Sequence, residues 1–127
     1  MELTPELIKK VQAVLIITED QKRLKADGKI GPETQAALRS FQRDSGLKIT
    51  KVIDEPTIEE MKGLNISLVL QPSIKERQAF LILLGHTDEG NLIADGIDGE
   101  HMKNAIKKSG MSLDDLDDSN IDLGKVF

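Results

Sequence analysis

The 127-residue chain has no cysteine, no tryptophan, no tyrosine and only three phenylalanines. Without cysteine there is no disulfide, no thiolate nucleophile and no cysteine-ligated zinc. Without tryptophan or tyrosine there is little to stack on a pyranose face or a nucleobase. No apolar run approaches the roughly 18 residues of a membrane span, and the N-terminus MELTPELIKK has no apolar signal core. The sequence therefore predicts a protein made in the cytoplasm without a signal peptide and without a membrane partner. A site of action outside the cytoplasm would need lysis, a phage particle or a dedicated export route.

Positive charge in excess is also missing. The net charge is -5, and residues 1 to 64 carry 11 basic and 11 acidic side chains against 6 and 11 in residues 65 to 127. A neutral half followed by an acidic half lacks the concentrated positive field that phosphate backbones select, so nucleic acid is excluded as a partner. With 39% apolar and 31% charged residues the chain can still build a packed core.

The apolar positions that are present recur at helical spacing. Thr4 is placed to cap a helix with Pro5 at its first position, and Leu7, Val11, Val14 and Leu15 predict that helix from about Pro5 to Ile17. Pro32 begins a second helix whose inward face is Thr34, Ala37, Leu38 and Phe41, with Gly46 as its stop. LKITKVI alternates weakly and reads as extended, and Asp54 caps a short third helix with Ile58 and Met61 inward. GLNISLVLQPS, residues 63 to 73, reads as an apolar connector. Ser73 with Glu76 then opens a fourth helix ending near Gly85, Asp98 caps a fifth from about Gly99 to Ser109, and Ser112 with Asp115 opens a short sixth presenting Leu113 and Leu116.

Shifting the chain by 68 positions lays Asp27-Gly28 on Asp95-Gly96, Gly31 on Gly99, Ala37 on Ala105 and Leu38 on Ile106, while Gln12-Ala13 meets Gln78-Ala79 at a shift of 66. The matches fall on a turn and on an inward helix face, where a shared backbone demands similar residues. The expected architecture is all-α: two related three-helix lobes packed together, residues 1–64 and a diverged copy at 65–127 ending in an acidic tail.

The first half resembles the type 1 peptidoglycan-binding domain family over roughly Val11 to Leu64. The resemblance is carried by Val11-Gln12-Ala13, the turn Asp27-Gly28-Lys29-Ile30-Gly31-Pro32, Thr34, Ala37-Leu38, Phe41-Gln42, Gly46-Leu47 and the stretch from Val52-Ile53-Asp54 to Thr57. Charged TEDQKRLK replaces the family's usual glycine after the first helix, and Thr50-Lys51 replaces its second Asp-Gly turn. In the second copy Ser109 and Gly110 stand at the Phe41 and Gln42 positions, so that copy is expected to keep the fold and lose the ligand.

The resemblance implies noncatalytic attachment to bacterial cell wall, through stem peptide more than sugar, beside a separate cell-wall hydrolase. A helix start flanked by glycines offers main-chain N–H groups and a positive dipole end to a carboxylate. The candidate ligand-binding residues are Asp27, Gly28, Ile30, Gly31, Thr34, Phe41 and Gln42. Each has a structural role in competition: Asp27 bonding its own turn, Gly28 and Gly31 supplying backbone angles, Phe41 plugging the bundle. No cofactor or catalytic residue is expected, because His86 and His101 fall into no nucleophile–base or metal spacing. Glu89, Asn91, Asp95 and Glu100 approach a calcium-loop spacing, as do Asp118, Asn120 and Asp122, but Ala94 and Leu123 occupy the glycine position, so both read as solvated acidic loops and no metal is expected. The rival reading is a protein-protein module on the same fold, of phage or cellular origin, suggested by the apolar connector and the acidic second half.

Overall fold

The computed structural model describes residues 2–19 and 22–127. Thr4 Oγ1 accepts from Leu7 N–H at 3.1 Å and Pro5 fixes the first turn of α1, Pro5–Thr18. Pro32 likewise starts α2, Pro32–Asp44, behind Gly31, which has no side chain to cap it. Asp54 Oδ1 accepts from Thr57 N–H at 3.1 Å and opens α3, Glu55–Lys62. In the second half α4 is Ile74–Leu84, entered through a capping box of Ser73 and Glu76 and closed by Gly85 in a left-handed conformation at φ 90°. Then follow α5, Glu100–Ser109, and α6, Leu113–Asp117, the latter with its own capping box of Ser112 and Asp115. Six helices among the described residues bear out the all-α expectation.

The centre of the molecule is the pair α1 and α4, the most extensively packed elements in the structure. Val11 to Ile16 and Gln78 to Leu83 are unbroken buried runs. A helix apolar all round belongs inside, and these two cover each other while α2, α3, α5 and α6 surround them. Leu15, Leu24, Leu38, Met61, Phe80, Leu81, Leu92, Leu116 and Leu123 join one continuous core across both halves. Each contributes about 1.5–3 kcal/mol through burial.

Several local expectations are corrected. Asp98 does not cap α5: Gly99 stands at the N-cap, and glycine has no side chain to make a cap bond. LKITKVI forms no strand, because its amides turn inward to a side-chain acceptor described below. The connector holds strand β1, Asn65–Ser67, and the supposed acidic tail holds strand β2, Asn120–Asp122, paired antiparallel with Asn65 opposite Asp122 and Ile66 opposite Ile121. Three-residue strands give too short an alternation to stand out in the sequence. Ile121 and Leu123 are buried, so that segment is a clasp between the halves.

Further ties cross between halves. Ala26 N–H donates to Ala94 O and Ala94 N–H to Ala26 O, both at 3.1 Å. Lys9 Nζ, on α1, donates to Gly90 O at 2.9 Å and Leu92 O at 3.0 Å. Lys75 Nζ, at the matching place on α4, donates to Lys22 O and to Leu24 O. Burial holds both ammonium groups below the ordinary lysine pKa.

Candidate functional site

The turn ahead of α2 is built around one buried amide. Gln12, fully enclosed on α1, accepts from Asp27 N–H at 3.1 Å and Gly28 N–H at 2.9 Å through Oε1, and donates to Lys29 O at 2.7 Å and Thr34 Oγ1 at 3.0 Å through Nε2. Asp27 Oδ1 accepts from Lys29 N–H at 3.0 Å. The expectation that these turn amides are free for a ligand is therefore corrected: three of them already have internal acceptors. A buried glutamine with both ends satisfied fixes the turn's shape. Gly28, at φ 83°, is pressed so closely on α1 that a Cβ would sit 3.1 Å from Pro5 O.

Beyond that turn lies an open cavity of about 300 Å³ at the start of α2, lined by Arg23, Lys25, Asp27, Lys29, Ile30, Gly31, Glu33 and Thr34 among others. Ile30 is 42% exposed at its rim. Of the sequence candidates, Asp27, Ile30, Gly31 and Thr34 are thus brought together, and Gly28 shapes the turn from inside. Arg23, Lys25 and Lys29 were missed as candidates. The signal for Arg23 and Lys25 was the charged KRLK run, a departure from the family pattern, whereas Lys29 stands inside the Asp27 to Pro32 turn itself.

Phe41 and Gln42 do not reach this cavity. Phe41 is 4% exposed in the core. Gln42 is fully buried and performs for the next turn what Gln12 performs for the first: Oε1 accepts from Thr50 and Lys51 N–H, both at 3.0 Å, and Nε2 donates to Thr50 Oγ1, Val52 O and Thr57 Oγ1 at 2.9, 3.1 and 3.0 Å. Their helical spacing from Thr34 placed them on the same face, and that face is the inner one.

The second half has a comparable turn and a different mouth. Gln78 accepts from Asp95 N–H at 3.1 Å and Gly96 N–H at 2.8 Å and donates to Ile97 O at 2.8 Å. The cavity there is only about 100 Å³, lined by Leu92, Ile93, Asp95, Ile97, His101 and Met102 among others. Counting 68 residues on, Arg23, Lys25 and Lys29 meet Asn91, Ile93 and Ile97.

Of the histidine and acidic-loop candidates, His101 belongs to a structural cluster around Asp88, which was not among them. Asp88, 9% exposed, is bonded to His101 Nδ1 at 2.7 Å and accepts from Lys108 Nζ at 3.1 Å, and these donors hold its carboxyl below the ordinary range. Arg77, on α4, grips Asp117 on α6 with two bonds of 2.9 and 2.7 Å, lowering the Asp117 carboxyl. Among the described residues no group of three or more His, Cys, Asp or Glu is placed to hold a metal ion. No helix among them is long and apolar enough to cross a membrane.

An open cavity lined by three cations and two carboxylates on a rigid helical frame has the architecture of a binding module. Residues 4–61 match the family described as a putative peptidoglycan binding domain. That family is one of noncatalytic binding domains, and its match supports peptidoglycan as a binding partner. No curated protein and no solved structure matches the chain.

Proposed function

We propose that the chain recognises bacterial peptidoglycan without cleaving it, and that the mouth of α2 seats a carboxylate of the stem peptide. The observation that carries this reading is the cavity of about 300 Å³ in which Arg23, Lys25 and Lys29 surround Ile30, Gly31 and Thr34. Three cations against two carboxylates, Asp27 and Glu33, leave the mouth net positive; with the positive end of a 13-residue helix this attracts an anion, and Ile30 adds an apolar edge for an aliphatic side chain. The absence of tryptophan and tyrosine favours peptide over sugar. Asp27, Ile30, Gly31 and Thr34 remain ligand-binding candidates on this reading, joined by the three cations. Gly28, Phe41 and Gln42 hold the frame. We read the second half as a diverged duplicate that has lost the anion seat.

Purified sacculi should retain the protein in a pull-down, less so as salt rises, and Lys25→Ala with Lys29→Ala should lower retention about tenfold if each cation contributes about 0.7 kcal/mol. Retention no better than that of an unrelated acidic protein of similar size would end the proposal. A second reading has its own observation: Val69 and Leu70 in the connector are 53% and 95% exposed, a feature suited to docking a protein such as a separate cell-wall hydrolase.

A further inference from the structure

The contacts between the halves come in reciprocal pairs. Lys9 Nζ on α1 donates to Gly90 O and Leu92 O, and Lys75 Nζ on α4 donates to Lys22 O and Leu24 O. Gly90 and Leu92 stand 68 positions after Lys22 and Leu24. Ala26 and Ala94 have that same spacing, and each donates to the other. Strand β1, which follows α3, pairs with β2, which follows α6, so that Asn65 faces Asp122 and Ser67 faces Asn120 about a centre at Ile66 and Ile121. At each place one half gives the other the contact it receives, the pattern of an isologous two-fold interface folded into one chain. Across it α1 and α4 bury their apolar sides on each other, so each half completes its core with the other.

The halves are joined through residues 68–73. Leu68 and Pro72 are buried, and between them Val69, Leu70 and Gln71 turn outward, with Leu70 95% exposed. Among the described residues no backbone hydrogen bond ties these three to either half. Gln71 stands at φ 56°, in the left-handed region, although it carries a Cβ and precedes a proline, whose ring drives the preceding residue toward extended backbone. The turn that folds one half back onto the other is thus held against its own preference by the contacts between the halves. An extended connector relieves Gln71 and carries the second half away from the first. We infer that the chain trades halves with a second copy of itself, opening at Leu70-Gln71-Pro72 so that the first half of each chain takes the second half of the other. The exchange remakes every contact named above, so closed monomer and exchanged dimer differ in the connector and in their dependence on protein concentration. A short hinge under strain tips that balance toward exchange. The α2 mouth is lined by the first half alone, so the dimer presents two intact mouths and gains avidity on a polymeric ligand without any new contact.

The test is size-exclusion chromatography with light scattering on the full chain refolded at about 1 mM and at about 10 μM. A dimer should form at the higher concentration and return slowly to monomer on dilution. Gln71→Pro, whose ring forbids a positive φ, should raise the dimerisation constant about tenfold, and Gln71→Gly, which accepts φ 56° freely, should lower it. Exchange is told from side-by-side association by Ser67→Cys with Asn120→Cys, exposed partners across the strand pair in a chain with no other cysteine. Oxidation should join the two chains of the dimer covalently, while in the monomer the disulfide closes within one chain. Wild type and Gln71→Pro that both fold as monomers at the higher concentration overturn the inference, and so does a dimer whose disulfides close within each chain. Should Gln71→Pro not fold, Gln71→Gly decides, and a dimer fraction no lower than the wild type's overturns the inference as well.

Discussion

The two halves run through the same order of three helices and a short strand, but they fasten their second and third helices differently. The first half uses amides: Gln12 ties α1 to the turn before α2, and Gln42 ties α2 to the turn before α3. The second half keeps Gln78 in the first of these places and has Gly110 where Gln42 would stand. There α6 is 5 residues long against 8 for α3, and ionic ties take over: Asp88 to His101 and Lys108 on α5, Arg77 on α4 to Asp117 on α6. An amide keeps its hydrogen bonds at any ordinary pH, whereas a carboxylate tie lasts only while it is ionised. The halves therefore differ in what can loosen them as well as in what they can bind.

The largest separation should come from the glutamines. Gln12→Ala strands the Asp27 and Gly28 amides, Lys29 O and Thr34 Oγ1 in or near the core, and an unsatisfied buried group costs about 1–3 kcal/mol. A loss of roughly 4 kcal/mol in denaturant unfolding is expected, with Gln42→Ala comparable. Gln78 has no counterpart of Thr34, because Met102 stands there, so Gln78→Ala should cost about 1 kcal/mol less. Equal losses at Gln12 and Gln78 would mean that the hydroxyl partner contributes nothing.

Next in size is the ionic set. Arg77→Ala removes a bidentate pair whose side chains are 24% and 22% exposed, and about 2 kcal/mol should go with it. The Asp88 and Asp117 carboxyls both lie below their ordinary value of 3.8, Asp88 chiefly through its bond to His101 and Asp117 through Arg77. A carboxyl lowered in the folded state stabilises above its free pKa, and that stability is lost as pH falls through the folded pKa. Both ties therefore hold at neutral pH and fail below 3.8. In the first half Asp54 is lowered too, burial opposing the Thr57 and Thr50 bonds that prevail, but it serves one helix cap. Hydrogen exchange corrected for intrinsic rate should show α5 and α6 losing more protection than α2 between pH 6 and pH 3. A uniform loss would erase the contrast.

How much of this could be read beforehand depends on the kind of interaction. The helices were legible because caps and apolar spacing are local: Thr4, Pro5, Pro32, Asp54, Ser73 and Ser112 all stand at helix starts as their chemistry requires. Asp98 misled because an aspartate before a glycine is a good cap only if the backbone bends at the aspartate, and here it bends one residue later. The β1 and β2 strands were illegible, since their pairing spans 55 residues between Ile66 and Ile121. The mouth of α2 was half legible. Glycine and proline announce a turn, but the cations come from a preceding loop whose approach is set by Lys75 and the Ala26 to Ala94 bridge, contacts made across the whole chain.

Exchanging the mouths sharpens the functional side of the comparison. Lys25→Ile with Lys29→Ile gives the first half the residues of the second, and retention on sacculi should drop about tenfold, roughly 1.4 kcal/mol. The reverse graft, Ile93→Lys with Ile97→Lys, should add salt-sensitive retention to a chain already carrying the first exchange. Ile97 is 67% exposed, so this graft exposes no buried charge at that position. Unchanged retention in both directions would place recognition elsewhere on the surface.

The smallest effect concerns the turn that Gln42 organises. Lys51 sits there at φ 60°, in the left-handed region where a side chain crowds the backbone. Gln42 holds it by accepting its N–H at 3.0 Å, so the conformation is imposed by a buried partner against the residue's own preference. Where the chain leaves α2 and α5 the same region is taken by glycines, Gly46 at φ 72° and Gly110 at φ 71°, with no Cβ to resist it. Lys51→Gly should therefore stabilise the protein, by roughly 0.5 kcal/mol, since relief of about 1 kcal/mol of local strain is offset in part by the greater freedom of glycine in the unfolded chain. Lys51 is exposed and does not line the α2 mouth, so sacculus retention should not move. A destabilised Lys51→Gly variant would show that Gln42 selects a shape the lysine already favours.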